Sequence, residues 1–243
     1  NDKDFVENNY LVMCTKRGIN KKTTLEDYSR PRTNGVKAIV IREEDQLLEV
    51  KLTSGNAEIM IAARGGKAIR FNEEKVRPIG RVGAGVRGIE LDEGDEVVGM
   101  ITYDPTAEDA SAHTILVVSE NGYGKRTAFD DYRQTHRGGM GVTAIKGADR
   151  NGRIVAAHAV SEDESIISIT SDAQMVRSPV RDIGVYGRSA QGMRLVRLSE
   201  GAKLVSVSVC ESEDIEKDSS AVAEAAPENA EQVQENETIT KED

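Results

Sequence analysis

Along the chain, apolar and polar positions alternate in short blocks with the two-residue period of β-strands. In "KLVSVSV" (203–209) the alternation is regular from Val205 to Val209, and "MRLVRL" (193–198) follows it less strictly. Val86 and Gly88, set against Arg87 and Glu90, give another short strand. The acidic turns "REEDQ" (42–46) and "DEGDE" (92–96) lead into two further strands, "LLEVKL" and "VVGMI". No stretch reads as a convincing amphipathic helix.

These blocks recur. Four segments align: "LVMCTKRGINKKTTLEDY" (11–28), "IMIAARGGKAIRFNEEKV" (59–76), "ILVVSENGYGKRTAFDDY" (115–132) and "IISITSDAQMVRSPVRDI" (166–183). Gly18, Gly66, Gly122 and Ala173 occupy one turn, and the residue four places on is always cationic: Lys22, Arg70, Arg126, Arg177. Ten places after the turn stands an apolar slot, filled by Tyr28, Val76, Tyr132 and Ile183. Farther on, Gly35, Gly85, Gly141 and Gly192 each precede a Val or Met that opens another strand, at intervals of 50, 56 and 51 residues. A repeat of this period marks an array whose neighbours cover one another's edges. The prediction is an all-β, propeller-like array over residues 1–210, with about four blades of antiparallel four-stranded sheets near 9–50, 51–101, 102–160 and 161–210.

The repeat also disposes of a nucleotide site. "GRVGAGVRGIEL" (80–91) holds Gly83, Gly85 and Gly88 in G-x-G-x-x-G spacing. That chemistry needs a strand before the motif and a helix after it, so that a helix N-terminus meets the phosphate. Here the charged "NEEKVRPIGR" precedes it and a strand-turn-strand pattern follows. Gly85 is instead the second copy of a glycine whose equivalents sit in no such spacing.

Composition narrows the picture further. Aromatic residues make up 4% and Trp is absent, so the core must rest on Val, Ile, Leu and Ala. Cys14 and Cys210 lie in separate apolar runs and read as reduced, buried thiols of a cytoplasmic chain. No signal peptide is visible, and no apolar run approaches the roughly 18 residues of a membrane span. Net charge is −10, yet residues 211–243 hold 12 acidic and 2 basic side chains while residues 1–210 hold 30 of each. That tail has few large apolar residues and is expected to be disordered. Lying on the cations of the body it would compete with any polyanion they hold, so deleting it would strengthen that binding; a merely solubilising tail would leave affinity unchanged.

In a neutral body, placement of the cations decides what they do. Lys22, Arg70, Arg126 and Arg177 recur in register, and Arg32, Arg81, Lys125, Arg133 and Arg188 stand near them in their copies. Side chains placed alike in successive blades are expected to form a band around one rim, which suits the continuous phosphates of a duplex. The strongest local signal is "YRQTHRGGMG" (132–141), where Arg133 and Arg137 bracket Gly138 and Gly139. That glycine pair would let backbone N–H groups approach a phosphate, and His136 would add charge when protonated.

"ENGYGKRT" (120–127), "GRVGAGVRGIEL" (80–91), "LEDYSRPRTNGV" (25–36) and "GRSAQGMRL" (187–195) closely resemble the C-terminal domain of DNA gyrase A, over about residues 9–210. The resemblance implies a β-pinwheel, usually of six blades, that wraps DNA around its basic rim. It implies a part in ATP-dependent negative supercoiling by a bacterial type IIA topoisomerase, an isomerase, in the cytoplasm and on the nucleoid. The implied partners are double-stranded DNA and the rest of gyrase A with gyrase B in an A2B2 assembly, and no membrane. ATP and Mg2+ would serve the whole gyrase, with no cofactor or metal in this stretch. Earlier blades and the cleavage domain with its nucleophilic tyrosine would lie outside the chain. The family's box QRRGGKG belongs to its first blade. "THRGGMG" (135–141) matches it at Arg137, Gly138, Gly139 and Gly141 and departs at Thr135, His136 and Met140, so it reads as a degenerate copy.

No catalytic residue is expected. Tyr132 shares its slot with Tyr28, Val76 and Ile183, so bulk is what the slot requires, and His113, His136 and His158 lack ligand spacing. Asp45 and Asp95, ten residues after Gly35 and Gly85, read as turn formers. Two alternatives stay open: the C-terminal domain of the topoisomerase IV counterpart of gyrase A, which shares the fold, and a protein-interaction propeller whose cations are only solvated surface.

Overall fold

In this computed structural model the described residues are 3–107 and 112–211, so the acidic tail predicted for 211–243 lies almost wholly outside them. A short helix α1 (Lys3–Asn8) leads into β1 (Tyr10–Thr15), β2 (Ile19–Thr24) and β3 (Leu47–Thr53) of the first copy. The second copy supplies β4 (Glu58–Ala63), β5 (Lys67–Asn72), β6 (Val86–Arg87) and β7 (Val97–Tyr103). The third supplies β8 (Thr114–Ser119), β9 (Tyr123–Ala128), β10 (Val142–Thr143), the one-turn helix α2 (Ala148–Asn151) and β11 (Ile154–Val160). The fourth supplies β12 (Glu164–Thr170), β13 (Met175–Pro179), β14 (Met193–Arg194) and β15 (Leu204–Glu211). No helix follows the glycines at 83–88, and none of the described helices is long and apolar enough to cross a membrane.

The sheets are not built from one copy each. Strand orders are β3-β1-β2-β6, β10-β5-β4-β7, β11-β8-β9-β14 and β13-β12-β15, antiparallel throughout the first three sheets and between β12 and β13. Each short strand thus leaves its own copy and finishes the preceding sheet: β6 pairs Ile19 with Arg87, β10 pairs Ala68 with Val142, and β14 pairs Gly124 with Met193. Three sheets are four-stranded by this exchange and the last has three strands. β14 stops after Arg194, short of the strand expected over 193–198, because the N–H groups of Leu195 and Val196 both turn to the carbonyl of Gly122.

Adjacent sheets enclose three apolar layers. Val12 and Cys14 meet Ile59, Ile61 and Phe71 between the first and second sheets. Met60 and Ala62 meet Ile115, Val117 and Tyr132 between the second and third, and Leu116 and Val118 meet Ile166 and Ile183 between the third and fourth. Strands between two layers, such as β4, are buried on both faces, whereas β3 and β15 leave one face largely exposed. Both cysteines are free, and burial pushes the Cys14 thiol upward.

The aligned turn is real in backbone terms: Gly18, Gly66, Gly122 and Ala173 all have positive φ, at 76°, 99°, 78° and 62°. Ala173 alone carries a side chain there, which costs about 1–2 kcal/mol for an L-residue. Ala173→Gly is therefore expected to stabilise the protein by about 0.5–1 kcal/mol, after the entropy of glycine is subtracted, as read from urea unfolding.

Candidate nucleic-acid interface

The cations that recur four places after the turn lie within strands and largely out of solvent. Lys22 in β2 is 4% exposed; its Nζ sits 3.1 Å from Glu73 Oε2 and 4.1 Å from the centre of the Tyr10 ring. Glu73 is fully buried and also accepts from Thr53 Oγ1 (2.8 Å) and the Ala57 N–H (2.6 Å). Arg70 in β5 pairs with Glu58 (3.2 Å) and donates from Nη1 to the carbonyls of Phe129 (3.0 Å) and Tyr132 (3.1 Å). Arg126 in β9, 3% exposed, donates to the Ile183 carbonyl (2.6 Å) and reaches Glu162. Arg177 in β13 is half-buried. Each of the first three grips the short 3-10 turn of the next copy. Main-chain bonds repeat the same joint: Ile79, Thr135 and Tyr186 donate to the carbonyls of Lys22, Arg70 and Arg126.

The band expected from these residues is thus a row of internal staples, and the exposed charge lies elsewhere. After each 3-10 turn the chain runs in a loop, which in the second, third and fourth copies ends at the exchanged strand, and the loops carry Arg32, Arg81, Arg133, His136, Arg137 and Arg188. Arg32, Arg133 and His136 are exposed; Arg81, Arg137 and Arg188 are half-buried and occupy one register. Arg137 donates to the carbonyls of Lys75 (2.8 Å) and Arg87 (3.2 Å), and Arg188 to that of Thr143 (2.6 Å). Arg87 and Thr143 end equivalent exchanged strands, so each arginine is aimed by the copy before it. Lys125 is fully buried.

The glycine pair behaves differently from expectation. Gly138, at φ 80°, spends its N–H on the carbonyl of Gly88 (2.6 Å), so that donor belongs to the fold. Gly139 is half-buried above Ile69. Asp45 and Asp95 perform matched turn chemistry, each accepting from the backbone N–H of Arg17 or Gly65 and of the following residue. Tyr132 is fully buried, and burial pushes its phenol up to about 12.

One surface group escaped the repeat pattern. The guanidinium carbons of Arg150 and Arg194 lie 4.4 and 5.5 Å from the Tyr123 ring centre, and Arg194 donates to its hydroxyl (3.0 Å). That hydrogen bond holds the Tyr123 phenol below its usual range. Its signal was weak because Tyr123 aligns with Ile19, Lys67 and Gln174 in the other copies.

Comparison with known proteins places this geometry. A family profile described as "DNA gyrase C-terminal domain, beta-propeller" matches residues 9–54, 57–104, 113–161 and 164–211. The DNA gyrase A protein of Staphylococcus epidermidis (strain ATCC 12228) is 43% identical over 208 residues, which cover 86% of this chain and 23% of that protein. The Staphylococcus aureus (strain MRSA252) protein of the same name is 45% identical over 194 residues, 80% of this chain and 21% of its own length. Among solved structures, the C-terminal domain of DNA topoisomerase IV superposes with a TM-score of 0.78 at 26% identity, covering 91% of this chain and 68% of that one. A DNA gyrase A C-terminal domain superposes at 0.71 with 30% identity, covering 86% and 68%.

Proposed function

The chain belongs to the DNA gyrase C-terminal domain family, and from that premise we propose that it binds and wraps duplex DNA along the loops that carry Arg81, Arg137 and Arg188. The observation that supports this reading most directly is that these three arginines stand in one register on successive copies, with Arg137 and Arg188 each fastened to a main-chain carbonyl of the copy before. Charge repeated at the spacing of the blades suits a polyanion whose own charge is repetitive, and it asks for no base-reading element. Sequence preference would then come from the cost of bending the duplex. Arg32, Arg133 and His136 extend the contact, whereas Lys22, Arg70 and Arg126 act from inside the joints.

The chain spans less than a quarter of the length of the curated relatives named above. As part of such a protein it would act with the rest of gyrase A and with gyrase B in an A2B2 assembly, in the cytoplasm and on the nucleoid. There it would support ATP- and Mg2+-dependent negative supercoiling without supplying catalytic residues. A second reading, a wrapping domain of topoisomerase IV, is favoured by the higher TM-score of that neighbour. Supercoiling by the reconstituted holoenzyme separates the two: introduction of negative supercoils fits gyrase, and relaxation alone fits topoisomerase IV.

Duplex affinity against salt tests the binding itself. Log K is expected to fall with log[salt] by about 0.9 for each phosphate contacted, and replacing Arg81, Arg137 or Arg188 by Ala should each flatten that slope by about 0.9. A chain that shows no duplex binding at any salt concentration would be a protein scaffold instead.

A further inference from the structure

One residue before each of the four aligned cations, the copies differ: Lys21, Ile69, Lys125 and Val176. Lys21 and Lys125 are fully buried. Among the described residues neither has a carboxylate within ion-pair distance. Lys21 Nζ donates to the carbonyls of Ala38 and Arg81, both at 2.6 Å. Lys125 Nζ donates to the carbonyl of Gly187 at 2.8 Å and to that of Arg188. Two sheets of one protein thus place an ammonium group under the same residue of the loop that crosses them. In the sheet between, Ile69 fills the position, and the crossing loop is held by the Gly138 N–H on Gly88 instead.

Burying an ammonium without a counter-ion is costly, and only strong hydrogen bonds offset it. Packing does not require the charge, since Ile69 serves the same place in an equivalent sheet. What the two lysines share is their target, the main-chain carbonyl of the residue that occupies the Arg81 and Arg188 register. Fixing that carbonyl fixes the peptide plane and hence the direction in which the arginine leaves the backbone.

We propose that Lys21 and Lys125 are positioning residues for duplex binding, which hold the loops of the second and fourth copies so that Arg81 and Arg188 face the phosphate backbone. This rests on the DNA-binding reading above. The lysines touch no phosphate themselves; they act through the arginine whose carbonyl they hold.

Four forms of the 243-residue chain test this with a labelled duplex across a series of salt concentrations: Lys125→Ile, Lys125→Arg, Arg188→Ala and the double Lys125→Ile/Arg188→Ala. Lys125→Ile is expected to keep the wild-type unfolding midpoint, as Ile69 does in its own sheet. It should lose about as much affinity as Arg188→Ala, roughly fivefold, with a similarly flattened salt slope. The double variant should bind no more weakly than either single one, because both remove the same contact. Lys125→Arg should restore binding. Additive losses, or full affinity in Lys125→Ile beside a weakened Arg188→Ala, overturn the proposal and leave DNA binding intact. If the wild-type chain shows no salt-dependent binding, the DNA reading falls and the proposal falls with it. Should Lys125→Ile unfold, Lys21→Ile and Arg81→Ala report the same quantities; if both isoleucine variants unfold, the lysines are structural supports and the proposal is overturned.

A pH profile supplies a readout that a purely structural role would not move. Burial, reinforced by Arg188 and opposed by Asp131, pushes the Lys125 ammonium down to about 8, while the nearby Tyr132 phenol stays out of range at about 12. Burial likewise lowers Lys21, reinforced by Arg81 and opposed by Asp27. A lysine lowered in the folded state makes the protein relatively more stable as pH rises from about 8 toward 10.5. Its grip on two carbonyls weakens over the same interval as the charge is lost. Wild-type affinity should therefore fall from pH 7 to 9 while stability does not, and Lys125→Arg should give a flatter profile; identical profiles would count against the proposal.

Discussion

Glu73→Ala is expected to lower the free energy of unfolding by about 3–5 kcal/mol, the cost of leaving a buried charge without its partner. The carboxylate is fully buried and holds three groups at once: the Lys22 ammonium, the Thr53 hydroxyl and the Ala57 N–H. Lys22 cannot turn to water, because its side chain is 5% exposed and lies over the Tyr10 ring. Glu73→Gln can still accept from the Ala57 N–H through its Oε1 and donate from Nε2 to a Thr53 hydroxyl that turns round, and should cost less. Adding Lys22→Met to Glu73→Gln should recover most of the loss, since removing both charges removes the uncompensated one. Urea unfolding of the three variants checks the order, and a loss below about 1 kcal/mol in Glu73→Ala would show that Lys22 finds water after all.

Gly141→Ala should cost about 2–5 kcal/mol, combining a left-handed backbone with a forced main-chain shift. At φ 73° a Cβ would fall 2.4 Å from the Ala68 carbonyl oxygen and 2.7 Å from its carbon. The same approach occurs at the other exchanged strands, where a Cβ on Gly85 would meet the Asn20 oxygen at 2.7 Å and one on Gly192 the Gly124 oxygen at 2.4 Å. Gly35 has a similar dihedral, φ 77°, with no atom within 4 Å, so Gly35→Ala should show only the backbone component, about 0.5–1 kcal/mol once the entropy of glycine is subtracted. Equal losses at Gly35 and Gly141 in urea unfolding would mean that the close approach carries no energy of its own.

This pairing explains what the sequence disclosed and what it concealed. Positive φ and alternation are local properties, so the turn at Gly18 and its equivalents, the strands over 47–53 and 97–103 and the fourfold repeat were all legible. The third strands end at Thr53 and Tyr103, a few residues past the boundaries that spacing alone implied. The six-residue α1 carries no apolar period and is closed by the Asn8 and Asn9 amides on the carbonyls of Asp4 and Phe5, so the pattern gave no hint of it. The cations were legible as a register but not as a surface. Whether Arg126 faces water depends on Ile183 of the next copy lying above it, a contact 57 residues away. Arg81 and Arg188 were legible as candidates, while the lysines beneath them look in sequence like any other charged residue of a strand.

The exchange of short strands has a consequence for how such proteins can be cut and recombined. The stretch that recurs in sequence and the sheet that folds are out of phase: residues 86–87 complete hydrogen bonding that begins at residue 10. A cassette excised at a sequence boundary would carry away its neighbour's finishing edge and leave its own behind. Moving the junction past the exchanged strand, between Gly88 and Val97, keeps the first sheet whole but parts β4 from β7, so a chimaera joined there must tolerate a hybrid β4–β7 seam in place of a hybrid β2–β6 one.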